Sequence, residues 1–179
     1  TVLLAKLDAL RHQAFDEPLP FGDGLTAFEH LRRHVKRVVV RLDCGIATGG
    51  GGAISLPRHA SIWYASTSNC REILPGSQPI GYEGPLALIF HEVRHNQPGD
   101  PGHRACRNHP GLDATLDNGS GFAWSTLYAM WVYKYGSFDP AAIKDRARQM
   151  AKSMLQYSFC STPSSSNPKV QALVEEIAR

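Results

Sequence analysis

Residues 120–135, SGFAWSTLYAMWVYKY, constrain this chain more than any other stretch. Phe122, Trp124, Leu127, Tyr128, Met130, Trp131, Val132 and Tyr135 fall on every side of a 3.6-residue period. A helix that is apolar all round has no face to give to water, so it belongs in the core with other elements packed about it. Gly136 marks its expected end. A second apolar run, Leu86-Ala87-Leu88-Ile89-Phe90, leads into His91-Glu92-Val93-Arg94-His95 and suits a buried helix packed over the first. Pro85 fits its first turn, having no N–H to leave unpaired.

The spacing in that second helix sets its chemistry. Residues four apart share a helix face, so His91 and His95 point two imidazoles at one ion, which zinc accepts at about 2.0–2.1 Å per nitrogen. Glu92 sits one residue round the helix, beside such an ion rather than on it, where it can take a proton from an activated water. A catalytic zinc takes three protein ligands and keeps its fourth position for water. After His95 the chain reads Asn96-Gln97-Pro98-Gly99-Asp100-Pro101-Gly102, in which a helix cannot continue and must reverse. His103 is therefore the expected third ligand, with His109, Asp113 and Asp117 as rivals.

The H-E-x-x-H helix, a Gly-containing turn and a further His resemble the zincin metallopeptidases, and within them the metzincin pattern H-E-x-x-H-x-x-G-x-x-H. Here the glycines are Gly99 and Gly102, and the last His falls two positions later. Asp113-Ala114-Thr115-Leu116-Asp117 is similar to the acidic pair of the gluzincins, with Asp in place of Glu. HEVRHNQPGDPGHRAC and DNGSGFAWSTLYAMWVYKYG also look similar to small bacterial H-E-A-R-H proteins. The resemblance implies a zincin-like α+β fold, a small mixed sheet packed on the active-site helix and further helices, in a single domain over residues 1–179. It also implies one catalytic Zn2+, a peptide or protein substrate, and a tyrosine bonding the oxyanion, for which Tyr128, Tyr133 and Tyr135 are the candidates. Asp113, Asp117 and His109 are candidates to orient a ligand histidine. For the two aspartates helix N-capping is the alternative.

The remaining chain reads as support. Leu3, Leu7 and Leu10 predict an amphipathic helix within residues 1–15, and Thr26 opens another running to about Val35. On it His30 and His34 are also four apart, but Arg32, Arg33, Lys36 and Arg37 oppose a dication and no acid stands between the pair. A solvated basic face is expected there. Val38–Leu42 and Ser61–Ala65 carry the β-branched density of strands, with a short strand within 53–57. The glycine run 49–52 between them lacks the Gly-Lys-Ser/Thr of a phosphate loop and reads as a flexible turn or flap. Asp139-Pro140 starts a helix over 141–157, residues 161–168 are a polar linker, and a short helix closes the chain.

Cys44, Cys70, Cys106 and Cys160 are dispersed, with no C-x-x-C pair. That disfavours a thiolate zinc cluster and favours disulfides, Cys44 with Cys70 and Cys106 with Cys160, in a secreted or extracytoplasmic protein. Four reduced, buried thiols are the alternative. A net charge of +3, evenly spread, argues against a nucleic-acid partner, and no apolar run is long enough for a membrane span. The expected activity is zinc-dependent hydrolysis of peptide (amide) bonds with Glu92 as general base. The alternatives are a non-catalytic zincin-like module that keeps its metal for interaction, and a zinc amidase acting on cell-wall peptides or small amides.

Overall fold

The computed structural model describes residues 8–21, 23–35, 37–41, 55–56, 61–65, 83–102, 112–117, 119–137, 140–161 and 163–179; for 37–41, 55–56, 61–65 and 83–85 it describes the backbone alone. The architecture is carried by α1 (Ala27–His34), α2 (Glu83–His95), α3 (Gly121–Tyr135), α4 (Ala141–Tyr157) and α5 (Pro168–Ala178). Residues 8–12 are helical as well, within the predicted first helix.

α3 takes the central place its composition demands. From Gly121 to Val132 every residue but Phe122 is buried. Each large apolar side chain removed from water there contributes roughly 1.5–3 kcal/mol. α2 runs along one side of it. Phe90 lies 4.7 Å from Tyr128 between ring centroids, whereas Arg94, one turn later, meets Trp124 and Gly119, so α2 and α3 are antiparallel. The C-terminal end of α2 therefore sits beside the N-terminal end of α3.

α4 covers another side with Ile143, Ala147, Ala151 and Leu155, a stripe of one residue per turn whose two alanines let the helices approach closely. Of the basic residues on this helix Arg146 and Lys152 are exposed, whereas Lys144 and Arg148 are half-buried. α5 buries Val170, Leu173, Val174 and Ile177 and is tied to α3 through Glu176, which accepts from Tyr133 Oη at 2.8 Å and pairs with Lys134.

Helix ends follow local chemistry. α1 opens with a capping box, Glu29 N–H donating to Thr26 Oγ1 and Thr26 N–H donating to the Glu29 carboxylate at 2.9 Å. α2 begins at Glu83, two residues before the expected start, and Pro85 still falls in the first turn, where an N–H has no partner inside the helix. α3 stops at Tyr135 as expected, although Gly136 keeps a negative φ and pairs with Phe15 in an isolated β-bridge.

The expected α+β fold is corrected. Where side chains are described, 61% of residues are helical and 4% strand, with no sheet among them. Where side chains are described, the element packed along the site helix is α3, a helix. The backbone of three short segments, β1 (Arg37–Arg41), β2 (Ser55–Leu56) and β3 (Ser61–Ala65), does pair in the order β1-β3-β2, parallel for β1 with β3 and antiparallel for β2 with β3. The physical reason for the helical outcome lies in α3. A helix apolar on all sides requires several apolar partners, and the amphipathic stripes of α2 and α4 supply them over thirteen and seventeen residues. The glycine run 49–52 lies outside the described residues, and no helix among the described residues is long and apolar enough to cross a membrane.

Candidate metal centre

The last turn of α2 carries His91, Glu92 and His95, as the spacing predicts. His91 and Glu92 are buried, at 7% and 5% exposure, and His95 is half-buried. The two imidazole rings lie edge to face with centroids 4.9 Å apart. Glu92 Oε1 comes within 3.9 Å of His91 Nε2, too far for a hydrogen bond and close enough for the charge to be felt.

Each ring is held by a different segment. Gly121, the first residue of α3, lies over His91. A Cβ built on it would stand 2.9 Å from Cδ2, Cε1 and Nε2 alike, which places the backbone over the ring face and not end-on to the nitrogen. Only glycine permits that approach. The Phe122 ring meets the same imidazole edge to face at 4.6 Å.

His95 is held by the reversal that follows the helix. Asn96 N–H donates to Val93 O and Gln97 N–H to Arg94 O, a tightened last turn. Gly99 at φ +73° and Gly102 at φ +61° then turn the chain in the left-handed region, as the Pro/Gly pattern predicts. The turn brings Asp100 back onto the helix, where its Oδ2 lies 2.9 Å from His95 Nδ1 while Oδ1 accepts Gly102 N–H at 3.1 Å. Burial pushes the Asp100 carboxyl upward, but the hydrogen bonds with His95 and Gly102 prevail and hold it below the ordinary range. An ionised Asp100 accepts from Nδ1–H, so Nε2 of His95 carries the lone pair, the arrangement that orients metal-binding histidines.

Arg94 ties these pieces together. Its Nε donates to Gly119 O, Nη2 to Gly99 O at 2.7 Å and Nη1 to Pro98 O at 3.4 Å, and the guanidinium lies 5.5 Å from the centre of the Trp124 ring. Beside this cluster a cleft of about 180 Å3 opens between Phe21, Gly119, Trp124, Leu127, Ser165 and Val170.

The donor chemistry of the described residues fits zinc in part: two imidazoles on one helical turn, one with its tautomer set by a carboxylate. Among the described residues no group of three His, Cys, Asp or Glu is placed to hold a metal. His103, the expected third ligand, and His109 lie outside the described residues.

Other candidates have occupations of their own. Asp113 is fully buried and accepts from Ser120 Oγ and from Ala123 N–H at 3.2 Å, so it holds the first turn of α3 from outside the helix. Its backbone also bonds Ser158 O and Cys160 N–H, joining the approach to α3 with the end of α4. Asp117 is exposed and accepts from Ser165 Oγ and Ser166 N–H, both at 2.6 Å, which hold its carboxyl below the ordinary range and anchor the segment before α5. Tyr128 donates to Gln13 at 2.7 Å in the core, Tyr133 donates to Glu176, and Tyr135 packs on Trp131 at 5.1 Å. All three lie at least one and a half turns beyond the Gly121-Phe122 contact with His91.

Cys160 is disulfide-bonded, and Cys44, Cys70 and Cys106 lie outside the described residues. The expectation for His30 is corrected: it faces the core at 1% exposure instead of lying on a solvated basic face. Sequence reasoning missed Asp100 and Arg94. The signal for Asp100 was Asp-Pro between Gly99 and Gly102, a sequence suited to an Asx turn whose carboxylate bonds the backbone two residues on. None of the family models, curated proteins or solved structures compared with the chain matches it.

Proposed function

We propose that this chain is a zinc-dependent hydrolase of peptide bonds, built on a zincin-like H-E-x-x-H helix. The observation that carries the reading is the last turn of α2, where two imidazoles stand 4.9 Å apart and Asp100 fixes the tautomer of the second. His91 and His95 would hold the ion, with His103 as third ligand. Zinc supplies a water acidic enough to ionise near neutral pH and a positive charge to polarise the scissile carbonyl.

The chain's own groups do the rest. Glu92, buried next to His91, accepts the proton from the attacking water and returns it to the departing amine nitrogen. Gly121 keeps the His91 ring from turning, and Asp100 keeps a lone pair on His95 Nε2. The disulfide at Cys160 favours an oxidising, extracytoplasmic compartment.

A second reading has its own support. His91 and Glu92 are both under a tenth exposed, which suits a site that keeps its metal for structure and interaction instead of turnover. Glu92→Gln separates the two. For the hydrolase, cleavage of a peptide library falls by about 10²–10⁴-fold while zinc content is unchanged. Unchanged cleavage removes Glu92 as the general base, and no cleavage by the zinc-loaded parent leaves the non-catalytic module standing.

A further inference from the structure

We propose that Arg94 is a positioning residue that sets both metal-facing histidines at once, by clamping the two backbone segments that hold them. Its role in metal binding rests on the zinc reading above; the clamp itself does not. The guanidinium projects from the same turn as His91 and His95.

Its donors divide between two places. Nη1 and Nη2 go to Pro98 O and Gly99 O, two residues and one residue before Asp100, the carboxylate that orients His95. Nε goes to Gly119 O, two residues before Gly121, the backbone that lies over the His91 ring. Trp124, stacked on Phe21 at 4.5 Å, backs the guanidinium and fixes the plane of the fork. Peptide carbonyls in turns bond water when nothing else is offered, so without Arg94 both segments have a competing state.

Lysine cannot replace this. Three carbonyls on two segments, with an aromatic face behind, match a planar array of five N–H groups, whereas an ammonium is a single point of charge on a flexible stem. Arg94 thereby links the exit of α2 to the entrance of α3, and the two histidines cannot be misplaced independently.

The test uses Arg94→Met and Arg94→Lys in the full chain, with two readouts. In zinc-free protein, two-bond ¹⁵N–¹H imidazole spectra report the tautomer of His95. Zinc affinity is then measured by competition with a chelating dye. The parent shows a single Nδ1–H form of His95; Arg94→Met mixes the two tautomers and weakens zinc about 10–100-fold, the usual range for an orienting partner, and Arg94→Lys does not restore either. A His95 spectrum and zinc affinity unchanged in Arg94→Met, or full rescue by lysine, overturns the clamp. Should the parent bind no zinc, the hydrolase reading falls and the His95 spectra alone decide for Arg94. Should Arg94→Met fail to fold, the Arg94 Nε–H of the parent decides: slow exchange with solvent supports the bond to Gly119, and fast exchange overturns it.

Discussion

His91 with His95 on α2 and His30 with His34 on α1 share one spacing, and their ring centroids lie 4.9 and 4.7 Å apart. Their surroundings make them different objects. The α2 pair has carboxylates next to it, Glu92 on the helix and Asp100 on the turn. The α1 pair has Arg33 beside it and aromatic rings around it, with Phe21, Trp124 and Phe90 centred 5.7, 5.2 and 6.2 Å from His30. Spacing places two rings on one face; neighbouring charge decides whether that face suits a cation.

His30 accordingly behaves as a core residue. Burial, helped by the nearby His34 and Arg33 charges and only partly opposed by Asp23, pulls its pKa down to about 4. Its Nε2 lies 3.2 Å from the Gln97 amide, while Nδ1 has no hydrogen-bond partner among the described residues. Gln97 follows His95 by two residues, so the core histidine lies behind the exit of the site helix.

The comparison breaks most sharply on metal. His91→Ala is expected to weaken zinc binding by more than about 10³-fold, because two remaining donors cannot make up a tetrahedral site. His34→Ala and His30→Leu leave the affinity within about threefold. Isothermal titration checks all three, and comparable losses from both pairs would show that spacing alone governs.

Acid is the next largest effect and acts on the other pair. The unfolded chain protonates His30 near pH 6.5, while the folded chain resists until about pH 4. Between those values the unfolded state holds more protons, so stability falls as pH falls, by on the order of 3 kcal/mol at the lower end. Above pH 6.5 His30 contributes no pH dependence. Urea unfolding of the parent and His30→Leu at pH 7.5 and 4.5 checks this: the variant loses less stability than the parent across that interval.

Asp100→Asn sharpens the comparison on the α2 side. An amide is free to offer Nδ1 of His95 a donor instead of an acceptor, so zinc affinity drops about 10–100-fold with the fold's melting temperature little changed. An unaltered affinity means the carboxylate does not set the tautomer.

Elements were legible where a local pattern carried the whole cause. α3 could only be central, the α2 signature fixed its own face, and the left-handed Gly99 and Gly102 followed from a reversal of Pro and Gly. Asp113 accepts Ala123 N–H in the first turn of α3, but from outside the helix, since the N-cap position itself is Ser120. The miss at His30 came from weighing charge above period: Ala27, His30 and Leu31 are three and four apart and form the buried face of α1. Asp100 and Arg94 act through backbone carbonyls and a side chain brought close by a turn, contacts with no periodicity to betray them. The strands at 37–41, 55–56 and 61–65 follow the β-branched density that announced them, but that density states a local preference for strand and does not say which elements build the core.

Zinc-edge anomalous diffraction from crystals grown with one equivalent of zinc tests the central claim most directly. The account predicts one ion bonded by His91 and by Nε2 of His95, joined by His103, with Glu92 beside it and uncoordinated. An ion seated on the α1 pair, or His91 and His95 left bare in the presence of zinc, would contradict it.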